Sequence, residues 1–314
     1  MASLSSIAWM RFFCAVGVFI ALGSEASLLR IHTDYVVDDG PTPLVLWHGM
    51  GDTCCANGIA NLQKVIRNNI SGIFVHSVEI GTTEDEDKDN SYFLQVNKQI
   101  DQVCKNLSQI PELQNGYNAV GLSQGGQFLR AVAQRCPNPP IKNLITLGGQ
   151  HQGVSAFPNC PGTKAVCRYI RELLDLGAYT SFVQQRLVQA QYWHDPLKED
   201  EYRKKSTFLA DINNELTRNE VYKENLQKLR NFVMVKFLND TVVIPQESEW
   251  FGFYCPGQEK TICSLQDSTL YQEDWLGLKA MNEAGKVKFL TAPGEHIQFT
   301  TEWFLDTIAA PYLH

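Results

Sequence analysis

The chain has 314 residues, 44% hydrophobic, 11% aromatic and 19% charged, which is enough apolar material for one large core or two modest ones and excludes a disordered, coiled-coil or collagen-like chain. Lys and Arg number 27 against 34 Asp and Glu, a formal net charge of -7. A surface of that sign does not hold nucleic acid or an anionic membrane by bulk electrostatics, so no nucleic-acid partner is expected.

In chain order, the first element is Arg11 followed by the apolar run Phe12 to Leu22 and then Gly23-Ser24-Glu25-Ala26. The run is shorter than the ~20 residues a spanning helix needs, so residues 1–26 read as a secretory signal peptide and 27–314 as the mature chain. A short N-terminal anchor is the competing reading; no later window is long and apolar enough to span, so no stable membrane insertion is expected. Cutting after Ala26 removes Cys14 and leaves Cys54, Cys55, Cys104, Cys136, Cys160, Cys167, Cys255 and Cys263. An even number in a secreted chain points to four disulfides, without fixing their pairing. Zinc ligation is the alternative, but no C-x-x-C or paired-histidine spacing accompanies these cysteines, and neither a metal nor an organic cofactor is expected. Sequons at Asn69, Asn106 and Asn239 fit the secretory route as glycosylation sites.

The run Pro43-Leu44-Val45-Leu46-Trp47 predicts the first buried strand, and His48-Gly49-Met50-Gly51-Asp52 after it is a glycine-containing turn. Such turns supply one oxyanion donor in serine hydrolases, which assigns the Met50 N–H to that role; a turn needed only for chain reversal is the alternative. A second strand is predicted at Gly72 to His76. The acidic stretch Glu84, Asp85, Glu86, Asp87 and Asp89 reads as a solvated loop, and Tyr92 to Leu107 as a helix. The strand Tyr117 to Val120 then runs into Gly121-Leu122-Ser123-Gln124-Gly125, and a helix is predicted from Gln124 to Gln134. This is G-x-S-x-G in the strand-to-helix position the nucleophile elbow requires, with glycines because side chains there would clash with the neighbouring strand and helix. The Gln124 N–H is the second expected oxyanion donor.

After the strand Ile141 to Leu147, helical pattern replaces strand pattern over about 150–230, with Phe182, Val183, Leu187, Ala190 and Trp193 at helical spacing. This reads as a helical insertion on the sheet. The strand Phe232 to Leu238 leads directly to Asp240, and the strand Val287 to Leu290 leads to His296 in the loop Pro293-Gly294-Glu295-His296, before a C-terminal helix. A serine nucleophile needs a base held by an acid, and the order Ser123, Asp240, His296 is the one this architecture presents. Asp211, Asp267 and Asp274 are weaker acids because no buried strand leads into them. His32, His48, His76, His151 and His194 read as structural or surface residues, and His314 is terminal. Alternating strands and helices predict an α/β fold, a mostly parallel sheet with helices on both faces, and together with the elbow an α/β-hydrolase.

With these motifs assembled, the chain resembles the lysosomal palmitoyl-protein thioesterases of the type-1 class. The resemblance is carried by Val45 to Asp52, Gly121 to Gly126, Leu147-Gly148-Gly149-Gln150-His151-Gln152-Gly153, Tyr192 to Pro196, Phe208 to Asn213, Phe237-Leu238-Asn239-Asp240 and Glu249-Trp250-Phe251-Gly252-Phe253-Tyr254. It implies the same triad, and as substrates S-acylated proteins or peptides and long-chain acyl thioesters, with the acyl chain lying between sheet and insertion. It also implies delivery to the lysosome through the secretory pathway, with secretion as a further destination. Its disulfide pattern, carried over, joins Cys54 to Cys55, Cys104 to Cys136 and Cys160 to Cys167; Cys255 and Cys263 have no counterpart in it, and a fourth bond between them is expected by elimination. An ordinary imidazole paired with an aspartate is largely protonated in an acidic compartment, so peak activity is expected nearer neutrality. Two rival functions stay open at this point, a secreted lipase or carboxylesterase acting on oxygen esters and a non-catalytic lipid carrier.

Overall fold

The structure, a computed structural model, describes residues 40–156 and 163–314. The expected signal peptide, with Cys14, as well as His32 and Cys160, lie outside the described residues. Six strands form one parallel sheet: β1 (Leu44–Trp47), β2 (Val75–Ser77), β3 (Tyr117–Leu122), β4 (Ile141–Leu147), β5 (Asn231–Phe237) and, near the C-terminus, β8 (Val287–Ala292), in the order β2-β1-β3-β4-β5-β8. A separate two-stranded hairpin, β6 (Phe253–Tyr254) and β7 (Ile262–Cys263), lies between β5 and β8 in the chain. The strands read as continuous apolar runs because both faces of the sheet are covered. In β1, Val45 and Trp47 face one core while Leu44 and Leu46 face the other, and β5 divides in the same way between Phe232 with Met234 and Val233 with Val235.

The helices before β4 are α1 (Asn57–Asn69), α2 (Glu84–Phe93), α3 (Val96–Leu107) and α4 (Gln124–Arg135). The buried positions of α3 and α4 belong to the core of Val45 and Trp47, while α1 supplies Ile59, Leu62 and Ile66 to the opposite face, where the C-terminal helical segment from Thr301 also packs. Between β4 and β5 the described chain holds six helices, α5 (Lys164–Asp175), α6 (Ser181–Gln184), α7 (Val188–Gln191), α8 (Glu199–Lys205), α9 (Leu209–Ile212) and α10 (Glu220–Gln227). Chain order steps from β1 to β2 on one side and to β3 on the other, which makes the carboxyl ends of β1 and β3 a topological switch point, the place where open α/β sheets bind ligands.

Four expectations are corrected. The acidic stretch Glu84 to Asp89 is the start of α2 and not a solvated loop: the Thr83 hydroxyl caps it by accepting the Glu86 N–H at 3.2 Å, acids in a first turn suit the helix dipole, and Asp87 is fully buried. The helix expected over Tyr92 to Leu107 is broken, with Leu94 extended between α2 and α3; the Gln99 amide donates to the Asn90 and Leu94 carbonyls and so closes the end of α2. The run from Phe182 to Trp193 forms two four-residue helices, with Phe182 exposed beneath the Arg186 guanidinium while Val183, Leu187 and Ala190 are buried. The second strand also begins later than expected, because Gly72 sits at φ 77° in the turn ahead of it.

Candidate active site

Ser123 occupies the turn between β3 and α4 with φ 54° and ψ -126°, a conformation that costs a non-glycine residue on the order of 1–3 kcal/mol. Its surroundings hold it there. The Ser123 N–H donates to the Leu147 carbonyl at 2.8 Å, and its own carbonyl accepts the Gly126 N–H at 2.9 Å. A Cβ on Gly121 would lie 2.4 Å from the Gly126 backbone, and one on Gly125 would lie 2.4 Å from the Trp47 carbonyl oxygen. The two glycines of the elbow are thus where strand, turn and helix backbones touch.

His296 follows β8, and its Nε2 lies 2.9 Å from Ser123 Oγ while its Nδ1 hydrogen-bonds Asp240 Oδ2. With Nδ1–H donated to the carboxylate, Nε2 is left to accept the hydroxyl proton. Asp240 follows β5; its second oxygen accepts the N–H groups of Val242 at 2.7 Å and Val243 at 2.9 Å. Burial works against ionisation of Asp240, but the hydrogen bond and charge of His296, aided by the Val243 N–H, hold its carboxyl below the ordinary carboxylate range. Gly148, at φ 65°, makes room for the imidazole: a Cβ there would sit 3.1 Å from His296 Cε1. The structure therefore brings together Ser123, Asp240 and His296 from the carboxyl ends of β3, β5 and β8. Asp211, Asp267 and Asp274 lie elsewhere, engaged with Arg135, Ser264 and Lys223.

The turn after β1 closes against the serine, since a Cβ on Gly49 would lie 3.1 Å from Ser123 Cβ. Gln124 opens α4, so its N–H is one of those a helix leaves without an intrahelical acceptor. The side chains of the two expected oxyanion residues are tied to one network. Met50 Sδ accepts from the Gln189 amide at 2.7 Å, Gln124 Oε1 accepts from the Tyr192 hydroxyl at 3.1 Å, and the Gln124 amide donates to the Ser91 carbonyl at 3.0 Å. Ser91 Oγ in turn accepts the Gly51 N–H at 2.8 Å.

Sequence reasoning missed the anchor of this turn. Asp87 accepts from His48 Nε2 at 3.0 Å and from the Ile80 and Cys54 N–H groups at 2.8 Å each. Burial opposes its charge, but His48 and the two N–H groups prevail and lower its pKa. No sequence signal sets Asp87 apart from the neighbouring acids Glu84, Asp85, Glu86 and Asp89. Arg130, fully buried on α4, was also missed; it donates to the Ile212 and His151 carbonyls at 3.1 and 3.3 Å and to Asn213 Oδ1 at 2.8 Å, and burial pulls its pKa down to about 9. It binds the 149–153 loop to the insertion.

Cys54 and Cys55, Cys104 and Cys136, and Cys255 and Cys263 are bonded in the structure. The expected partner of Cys167, Cys160, is outside the described residues. Asn69, Asn106 and Asn239 are exposed. Among the described residues no helix is long and apolar enough to cross a membrane. An apolar cluster of Tyr92, Ile170, Leu173, Val183, Leu187 and Ala190, with Met50 packed against it, joins α2 to α5–α7 beside the turn.

A family model described as palmitoyl protein thioesterase matches residues 43–296. Palmitoyl-protein thioesterase 1 of Caenorhabditis elegans is 48% identical over 271 residues, covering 86% of this chain and 91% of the relative. Palmitoyl-protein thioesterase 3 of Dictyostelium discoideum is 36% identical over 278 residues, 86% of this chain and 92% of the relative. A Drosophila melanogaster protein named lysosomal thioesterase PPT2 homolog is 28% identical over 281 residues, 86% and 91% of the two chains.

Proposed function

The chain belongs to the palmitoyl-protein thioesterase family and is a hydrolase that removes palmitoyl groups from S-acylated protein cysteines; on that premise we propose that Ser123, His296 and Asp240 carry the reaction. The single observation that supports this most is the continuous chain of contacts from Ser123 Oγ through His296 to Asp240 at the ends of three adjacent or near-adjacent strands. His296 Nε2 takes the hydroxyl proton as Ser123 Oγ attacks the thioester carbonyl, and Asp240 orients the ring and stabilises its protonated form. The Met50 and Gln124 N–H groups receive the oxyanion, in a turn whose position the network through Ser91, Gln189 and Tyr192 fixes in advance. From the resemblance, the acyl chain is assigned to the side of the site between sheet and insertion, where an apolar cluster of α2 and α5–α7 packs beside Met50.

A cysteine thiol has a free pKa near about 8.5 and leaves far more readily than an amine. Acylation of Ser123 therefore asks little of acid catalysis, and hydrolysis of the acyl-serine ester is the slower step. Mixing the enzyme rapidly with a palmitoyl-cysteine peptide should release a burst of thiol equal to the enzyme concentration before the steady state. A linear release from the first turnover would reverse the order of the two steps. Lysosomal delivery through the secretory route is proposed from the resemblance and from the name of the Drosophila relative; the three exposed sequons are compatible with it.

A further inference from the structure

A second carboxyl group stands behind Asp240. Glu249, in the 3-10 turn Gln246–Trp250, is fully buried. Its Oε2 accepts the Phe237 N–H at 3.0 Å, whereas Oε1 is buried and receives no N–H or O–H. One oxygen of Glu249, one of Asp240 and a ring nitrogen of His296 all lie within 4.8 Å of one another. Two buried carboxylates this close repel, and two carboxyl oxygens hydrogen-bond only through a proton held between them. Their other partners decide which keeps it. Asp240 accepts from two backbone N–H groups and from His296, and Glu249 from one backbone N–H. Asp240 is thus the ionised member.

We propose that Glu249 is a positioning residue of the triad, a neutral acid that donates its proton in a hydrogen bond to the Asp240 carboxylate and so limits how tightly Asp240 holds the protonated form of His296. The inference rests on the catalytic reading given above. Burial first, and then the hydrogen bond and charge of Asp240, push the pKa of Glu249 well above the ordinary carboxyl range. The other charged groups around it leave this intact. Lys236 on β5, 3.9 Å from Glu247 and 4.3 Å from the centre of the Trp250 ring, favours a charged Glu249, but burial and Asp240 outweigh it. On the other flank His151 stacks on Phe251 and is kept neutral by burial and by Arg130, whose guanidinium also lies over Phe251. Sharing the charge of Asp240 between two hydrogen-bond donors weakens the hold of the carboxylate on the protonated imidazole.

The test is kcat/KM on a palmitoyl-cysteine peptide across pH 4 to 9, as about the useful range for carboxyl and imidazole titration, for the full chain, Glu249→Leu and Glu249→Gln, with Ser123→Ala beside them. In Glu249→Leu the donor is gone, and the acid-side midpoint should rise by about half to one pH unit, a loss of roughly threefold to tenfold below it, with KM little altered. Glu249→Gln carries an amide N–H donor and should restore the midpoint. A folded Glu249→Leu with an unmoved midpoint overturns the proposal, as does a Glu249→Gln midpoint displaced downward, because that means a negative charge was removed. Should the leucine variant not fold, infrared spectra decide: a protonated-carboxyl band at neutral pH that Glu249→Gln abolishes and Asp240→Asn shifts supports the proposal, and its absence overturns it. Turnover by Ser123→Ala would instead remove the catalytic reading itself.

Discussion

At the scale of single residues, the acids here are defined by what donates to them. Asp87 holds three N–H groups from three parts of the chain, and its loss leaves each of them buried without an acceptor. Asp87→Ala should lower the unfolding free energy in urea by about 3–5 kcal/mol and, because His48 begins the turn proposed to hold the oxyanion, should lower kcat in the protein that remains folded. A change under about 1 kcal/mol would mean these contacts are peripheral. Glu249 has the opposite linkage. Its folded pKa lies above the unfolded value, so its contribution to stability is complete below about pH 4.3 and is lost as pH rises toward the folded pKa. The thermal midpoint of Glu249→Gln should therefore gain on that of the intact protein as pH is raised from about 4.5 to 8; a constant difference would contradict a neutral, buried acid. Ser123, Asp240 and His296 could be picked out of the sequence as candidates because each follows a strand that begins as an apolar run. Asp87 and Glu249 could not: one sits in a run of five acids, the other in a turn with no regular pattern, and only the tertiary contacts separate them from solvated carboxylates.

At the scale of elements, glycine positions carry the site. Gly148 joins left-handed φ to close approach on the imidazole, and its φ cannot be relaxed without moving β4's exit. Gly148→Ala should fold but displace His296, reducing kcat by roughly tenfold to a hundredfold with little change in KM. Gly257→Ala is its control, with φ 81° and nothing within 4 Å of the added Cβ; it carries similar backbone strain and should keep its activity. Equal activity in the two variants would place His296 outside the influence of Gly148. The same scale shows why α2 was misread. Charge density argued for solvent, whereas a capping threonine, a favourable dipole and one buried aspartate made a helix that pins the turn after β1 through Ser91. Likewise α6 and α7 share the period of a longer helix, but the Gln184 amide donates to the carbonyls of Ala178 and Ala190 and folds the segment back on itself.

At the scale of the whole molecule, the order β2-β1-β3-β4-β5-β8 places Ser123, Asp240 and His296, the proposed triad, at one end of one sheet. The sheet was legible because strands covered on both faces are continuous apolar runs, and their ends were displaced by only a few residues. The insertion was legible as helical but not in detail, since its short helices are set by side-chain contacts such as those of Arg130 with Ile212 and Asn213, 82 and 83 residues away. What the architecture is for is tested most directly by hydrolysis of a palmitoyl-cysteine peptide with the purified chain, beside Ser123→Ala and beside the matching palmitate oxygen ester. Thioester cleavage that exceeds cleavage of the oxygen ester and is lost in Ser123→Ala, by about a thousandfold or more, is the predicted result. Preference for the oxygen ester, or thioester cleavage that survives in Ser123→Ala, would contradict it.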